Sequence, residues 1–115
     1  MSKHFIKTDF LTATLRECWV LRDNLRASCE VADWTEQATW HAIVLESVQV
    51  PEQHRRQGHC RRLIESLTHD DRFELVIVEG VGNLLLAGAL MRWGWQFDPT
   101  VMDFYHWHSA EESKP

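Results

Sequence analysis

Tyrosine is nearly missing from this chain. Tyr105 is the one instance, so any step that needs a phenol has a single candidate. Cysteine is scarce and odd in number: Cys18, Cys29 and Cys60 form no C-x-x-C pair, which disfavours both a disulfide framework and a structural zinc site. No apolar run approaches the roughly 20 residues of a membrane span, and the opening MSKHFIKTDF has no continuous apolar core of the signal-peptide kind; a cytoplasmic location is the expectation. Positive charge is also short. Twelve Lys and Arg against 17 Asp and Glu leave a formal net charge of −5, and because phosphate-backbone binding is driven by Lys and Arg this argues against a general nucleic-acid binder. A basic partner, such as a small amine or a protein lysine, suits the balance better.

What is present reads as ordinary globular protein: 44% hydrophobic and 25% charged residues place the chain outside the disordered class. Its 115 residues suffice for one core. A single domain over 1–109 is expected, followed by a disordered polar tail, 110–115. There are no internal repeats.

The richest stretch is 48–67, VQVPEQHRRQGHCRRLIESL. Leu45, Val48 and Val50 belong to an apolar, β-branched segment, and Pro51 ends its ladder by removing a backbone donor. Downstream, Cys60, Leu63, Ile64 and Leu67 recur at i, i+3, i+4 and i+7, the spacing of one buried helical face. Gly58 therefore stands where strand gives way to helix. A helix start leaves backbone N–H groups without intrahelical partners and carries the positive end of the dipole, so it favours an anion. Arg55 and Arg56 add formal charge there, and Gly58 allows close approach to the backbone.

Elsewhere, 4–7 reads as a short strand, and Thr8 or Asp9 as the cap of a helix running to about Glu17. Residues 18–22 and 25–34 read as two strands around an Asp23-Asn24 turn. A loop, 34–39, leads into a long central strand, 40–50. Strands are also expected at 75–79 and 102–108, with a polar connector at 69–72.

Arg55, Gly58 and Cys60 form R-x-x-G-x-C, which resembles the Q/R-x-x-G-x-G/A acyl-CoA signature of the GNAT superfamily of N-acyltransferases. The V-x-V-P strand end before it and the L-I-x-x-L helix after it match as well. FELVIVEG resembles the family's next strand, and NLLLAGALMRWGWQF, 83–97, resembles its last helix and the "G-F" strand start, here Gly94-Trp95. The resemblance spans roughly 17–108. It implies an α+β fold: a GNAT-like mixed, mostly antiparallel twisted sheet with a parallel central strand pair, flanked by helices.

The resemblance further implies acetyl-CoA as acyl donor. Its pyrophosphate would lie on Arg55, Arg56, Gln57, Gly58, His59, Cys60 and Arg61, and its pantetheine arm along Val48, Gln49 and Val50. Asn83 stands where the family often has a cofactor-contacting Asn; as a plain helix N-cap it would need no ligand. Cys60 replaces the family's Gly or Ala. The chemistry would be direct attack of an amine on the thioester. An alkyl ammonium has a reference pKa of about 10.4, so a base or desolvation must supply the neutral nucleophile. Glu46, on the central strand, matches the glutamate that several members use as base; apolar neighbours would raise its pKa toward neutrality.

Two departures stand out. The family's usual acid, a tyrosine four residues before the "G-F" glycine, is Leu90 here. Tyr105, on the closing strand, is the remaining candidate, although a packing role explains it equally well. A thiol's reference pKa of about 8.5 also lets solvent protonate the leaving group. Only about 17 residues precede the first expected hairpin, too few for the two helices that wall the family's acceptor pocket. An open acceptor side, or one completed by a second subunit, follows, and it suits a protein lysine or N-terminus. Small phage-encoded GNAT-like proteins resemble this trimmed layout.

His106 and His108 share one strand face and would suit a metal, but no carboxylate or cysteine completes the set. The six tryptophans, spread over several elements, read as core and dimer packing rather than base-stacking platforms. Leu84, Leu85, Leu86, Leu90 and Met91 make the last helix apolar over much of its surface, as a buried or partner-facing helix is. Three functions remain: an acetyl-CoA-dependent N-acetyltransferase, a GNAT-like binding or structural module without turnover, and an acyltransferase acting on a modified nucleobase amine.

Overall fold

Alternation decides the start of the chain. Leu11, Ala13 and Leu15 are all buried, with exposed or half-buried residues between them, and a period of two makes a strand. A computed structural model of the chain describes residues 3–21 and 39–107. In it β1, Lys3–Lys7, and β2, Thr12–Leu21, form an antiparallel hairpin. The helix expected from Thr8 to Glu17 is therefore absent. Thr8 does have the polar role expected of it, but in a turn: its Oγ1 accepts from the N–H groups of Phe10 and Leu11, both at 3.1 Å. The turn at Asp23-Asn24, the strand at 25–34, most of the 34–39 loop, His108 and the 110–115 tail lie outside the described residues.

β2 pairs antiparallel with β3, Thr39–Gln49. A helix, α1, His59–Thr68, then carries the chain to β4, Leu75–Val78, which runs parallel to β3. α2, Leu84–Arg92, leads to β5, Gln96–Asp98, and β6, Asp103–Trp107. The sheet has six strands in the order β1-β2-β3-β4-β6-β5, with β3 and β4 its one parallel pair among the described residues. This is an α+β fold dominated by its sheet.

The two faces of the sheet pack separately. Ile43, Leu45, Val76, Val78 and Phe104 join Ile64 and Leu67 of α1 and Ala87 and Leu90 of α2 in one cluster. Cys18, Val20, Ala42, Val44, Leu75, Ile77 and Tyr105 form a second on the opposite face, edged by Trp40 and Trp107. Both described helices thus lie on one face. α2 leaves Leu84, Leu85 and Met91 exposed. No described helix is long and apolar enough to cross a membrane.

Register carries one irregularity. Thr14 pairs with Ser47 but Leu15 pairs with Leu45, so Glu46 is the extra residue of a β-bulge in β3. The bulge shifts the phase of the strand: Ile43 and Leu45 face the helices before it, and Val48 and Val50 pack on that same cluster after it.

Candidate functional site

β3 and β4 part at the bulge. Their parallel ladder ends at Leu45 and Val78, closed by Glu79 N–H donating to the Leu45 carbonyl at 3.1 Å. Gly80 then turns the chain away at φ +59, and Val81 N–H bonds the Met102 carbonyl at 2.8 Å. From Ser47 to Gln49 the central strand is laddered to β2 alone among the described residues. Val48 and Gln49 thus present one open edge, next to a turn that begins beyond Val50.

That turn has the shape its glycine requires. After Pro51 a short 3-10 segment, Glu52–His54, is followed by Arg55 in extended and Arg56 in left-handed conformation. Gly58 is left-handed at φ +81 and caps α1 without a side chain. The first N–H groups of α1 are those a helix cannot satisfy internally, and Arg62 N–H makes the first intrahelical bond, to the Gly58 carbonyl at 2.9 Å.

The side chains of the turn are tied to one another. Arg55 Nε donates to the Val50 carbonyl at 2.9 Å, which fixes the turn to the end of β3. Gln57 Nε2 donates to the Gln53 carbonyl at 3.4 Å. Arg61 pairs with Glu65 at 3.7 Å, and its guanidinium lies 5.1 Å from the centre of the Trp93 ring. Cys60 is half-buried against the helix-side core, and burial pushes its thiol above the ordinary value. The tip of the β1–β2 hairpin also reaches the turn, where Phe10 stacks on His59 at 4.4 Å and meets His54 edge-on at 5.1 Å.

Glu46 sits in surroundings unlike the apolar ones envisaged from sequence. It faces Arg16 of β2 in a close ion pair and Lys3 of β1 at 3.4 Å. Arg16 also reaches Glu79 at 3.2 Å, so one guanidinium spans the fork between β3 and β4. Asp103 lies buried beyond Glu79 and accepts the Gly80 N–H at 2.8 Å. Desolvation, with Glu79 and Asp98 nearby, pushes its carboxyl above the ordinary value despite that bond and Arg16.

Tyr105 is 2% exposed and packs in the cluster opposite the helices. Leu90 is fully buried in the helix-side core. Asn83 is a helix cap: its Oδ1 accepts from the N–H groups of Leu85 at 2.9 Å and Leu86 at 3.1 Å. His106 packs on Trp95 at 5.0 Å, and no group of three metal-binding side chains is arranged for an ion among the described residues.

Sequence reasoning missed Arg16, Glu79, Phe10 and Arg62. The first three meet the site only through strand register and hairpin docking, which no local pattern reports. Arg62 had a signal in its i, i+3 spacing from His59. Compared with known proteins, the chain matches no family model and no curated relative.

Proposed function

We propose that this protein is a small GNAT-like N-acetyltransferase that takes its acetyl group from acetyl-CoA and passes it to an amine, a protein lysine or N-terminus. The observation that carries this reading is the parting of β3 from β4 at the Glu46 bulge, immediately ahead of a glycine turn that opens a helix. An extended amide chain can pair with the open edge at Val48 and Gln49, reaching Val50 where Arg55 releases its carbonyl, while a pyrophosphate is held by the N–H groups of the turn and by Arg55 and Arg56. The thioester then falls near the fork, beside Glu46.

In the reaction the amine nitrogen attacks the thioester carbonyl, the C–S bond breaks, and the amine's proton passes to Glu46. CoA leaves as thiolate and takes a proton from solvent. Tyr105 is buried against Val44 and Ile77, which favours a packing role for it. Because Arg16 and Lys3 hold Glu46, an incoming amine must displace them to hand its proton to that carboxylate. Among the described residues the β1–β2 hairpin stands where a helix was expected, which favours an acceptor side without that helical wall, as a protein substrate needs.

Titration calorimetry with acetyl-CoA tests the cofactor. The parent is expected to bind and Gly58→Glu to lose binding, since its side chain would strain a left-handed backbone and put a carboxylate on the anion site. Absence of binding by the parent would overturn the reading. A second reading, a binding module without turnover, is favoured by Leu90 in the acid's position and by the ion-paired Glu46. The Glu46→Gln variant separates the two: an enzyme loses about 100-fold or more in turnover at unchanged CoA affinity, whereas a module shows no turnover in either form.

A further inference from the structure

His59 and Arg62 are locked in one protonation pattern. A guanidinium can only donate, and Arg62 Nη2 lies 2.8 Å from His59 Nδ1, so Nδ1 must be the acceptor. The ring proton then sits on Nε2, which faces Gln57 Oε1 at 3.3 Å. The imidazole is therefore neutral in this arrangement. Arg62 Nη1 donates to the Gln57 carbonyl at 3.0 Å, and the same atom stands 3.0 Å from the point where a Cβ on Gly58 would be. The guanidinium thus lies across the face of the turn that the glycine leaves bare.

We propose that His59 and Arg62 form a proton-operated latch on the turn, closed by Arg62 while His59 is neutral and opened when His59 takes a second proton. Protonation places an N–H on Nδ1, where the guanidinium needs an acceptor, and sets two cations side by side. Arg62 must then leave, and the Gly58 backbone is uncovered. The groups facing His59 all favour the closed form at neutral pH: Arg62 from its own helix and His54 from the preceding 3-10 segment disfavour a further positive charge, and Phe10 from the β1–β2 hairpin covers one ring face. Desolvation first, then Arg62 and His54, hold the imidazole below its ordinary value. Linkage is reciprocal, so an anion bound on the open turn raises the His59 pKa. The coupling to a ligand rests on the cofactor reading above; the latch itself does not.

Two measurements decide it. Side-chain nitrogen NMR of the unliganded full chain is expected to find the Nε2–H tautomer at His59, and Arg62→Gln is expected to raise the His59 pKa. An Nδ1–H tautomer, or a titration that Arg62→Gln leaves unmoved, would overturn the latch. Calorimetry with dephospho-CoA, whose pyrophosphate diester keeps its charge, is then run from about pH 7.5 to about pH 5. The parent is expected to bind up to about tenfold tighter at the acid end, as a one-unit coupling gives, and Arg62→Ala to show a clearly smaller pH dependence, that of the His59 charge acting on the anion alone; an equal dependence in the two would overturn the gating. Parent binding that is flat with pH would overturn the gating. Absence of binding at every pH would overturn the cofactor reading and leave the latch to the NMR result.

Discussion

Two carboxylates of this protein respond to folding in opposite senses. Glu17 accepts from His4 Nε2 at 2.6 Å and His41 Nε2 at 3.1 Å, and the His4 hydrogen bond, against a partial desolvation, draws its carboxyl below the ordinary 4.5. The unfolded chain then holds the extra proton, so this contribution is present above about pH 4.5 and is lost as pH falls through the folded value. Asp103 is the reverse. Desolvation raises it above 3.8, the folded state holds the extra proton, and stability declines as pH rises through the interval above 3.8. Urea unfolding of two variants checks both signs. Glu17→Gln is expected to lose up to about 1 kcal/mol at neutral pH and less at about pH 3. Asp103→Asn, whose Oδ1 still accepts the Gly80 N–H, is expected to be no less stable than the parent at neutral pH and to lose that standing in acid.

Elements show where local signals decide and where they are ambiguous. The Asn83 carboxamide caps α2, so Asn83→Ala is expected to cost about 1 kcal/mol and Asn83→Asp to cost little. Equal CoA affinity of parent and Asn83→Ala would restrict Asn83 to capping, whereas a loss in the alanine variant alone would give it a ligand contact as well. Thr8 illustrates the ambiguity. A hydroxyl accepting from N–H groups two and three residues on starts a helix or closes a turn equally well, and only the burial of Leu11, Ala13 and Leu15 in alternation selects the strand. α1 was legible from its apolar spacing because the chain carries the whole pattern within ten residues. Edges are managed by charge: Lys3 and Lys7 flank the exposed Phe5 on β1, so antiparallel self-pairing about Phe5 sets lysine opposite lysine.

At the scale of the molecule, the succession of central strand, glycine turn, helix and next strand from β3 to β4 could be read in advance, because each rests on contiguous residues. The pairing of β1 with β2, and the Arg16 bridge across the fork, could not. They depend on which strands meet and in what register, a property of distant segments. The bulge lies between these cases. Apolar residues at Ile43 and Leu45 followed by Val48 and Val50 change parity within one strand, and that change is visible in the letters alone. It also bears on descent. Elsewhere in the sheet, loss of one codon would turn every following side chain to the wrong face, but at position 46 it would remove the extra residue itself and leave Val48 and Val50 facing the core. A relative of this chain with a gap at that point would keep its hydrophobic faces while losing the bulge and the carboxylate that meets Arg16 and Lys3. A one-residue gap there, small enough to pass for an alignment artefact, would mark a lineage that retained the architecture after giving up the bulge.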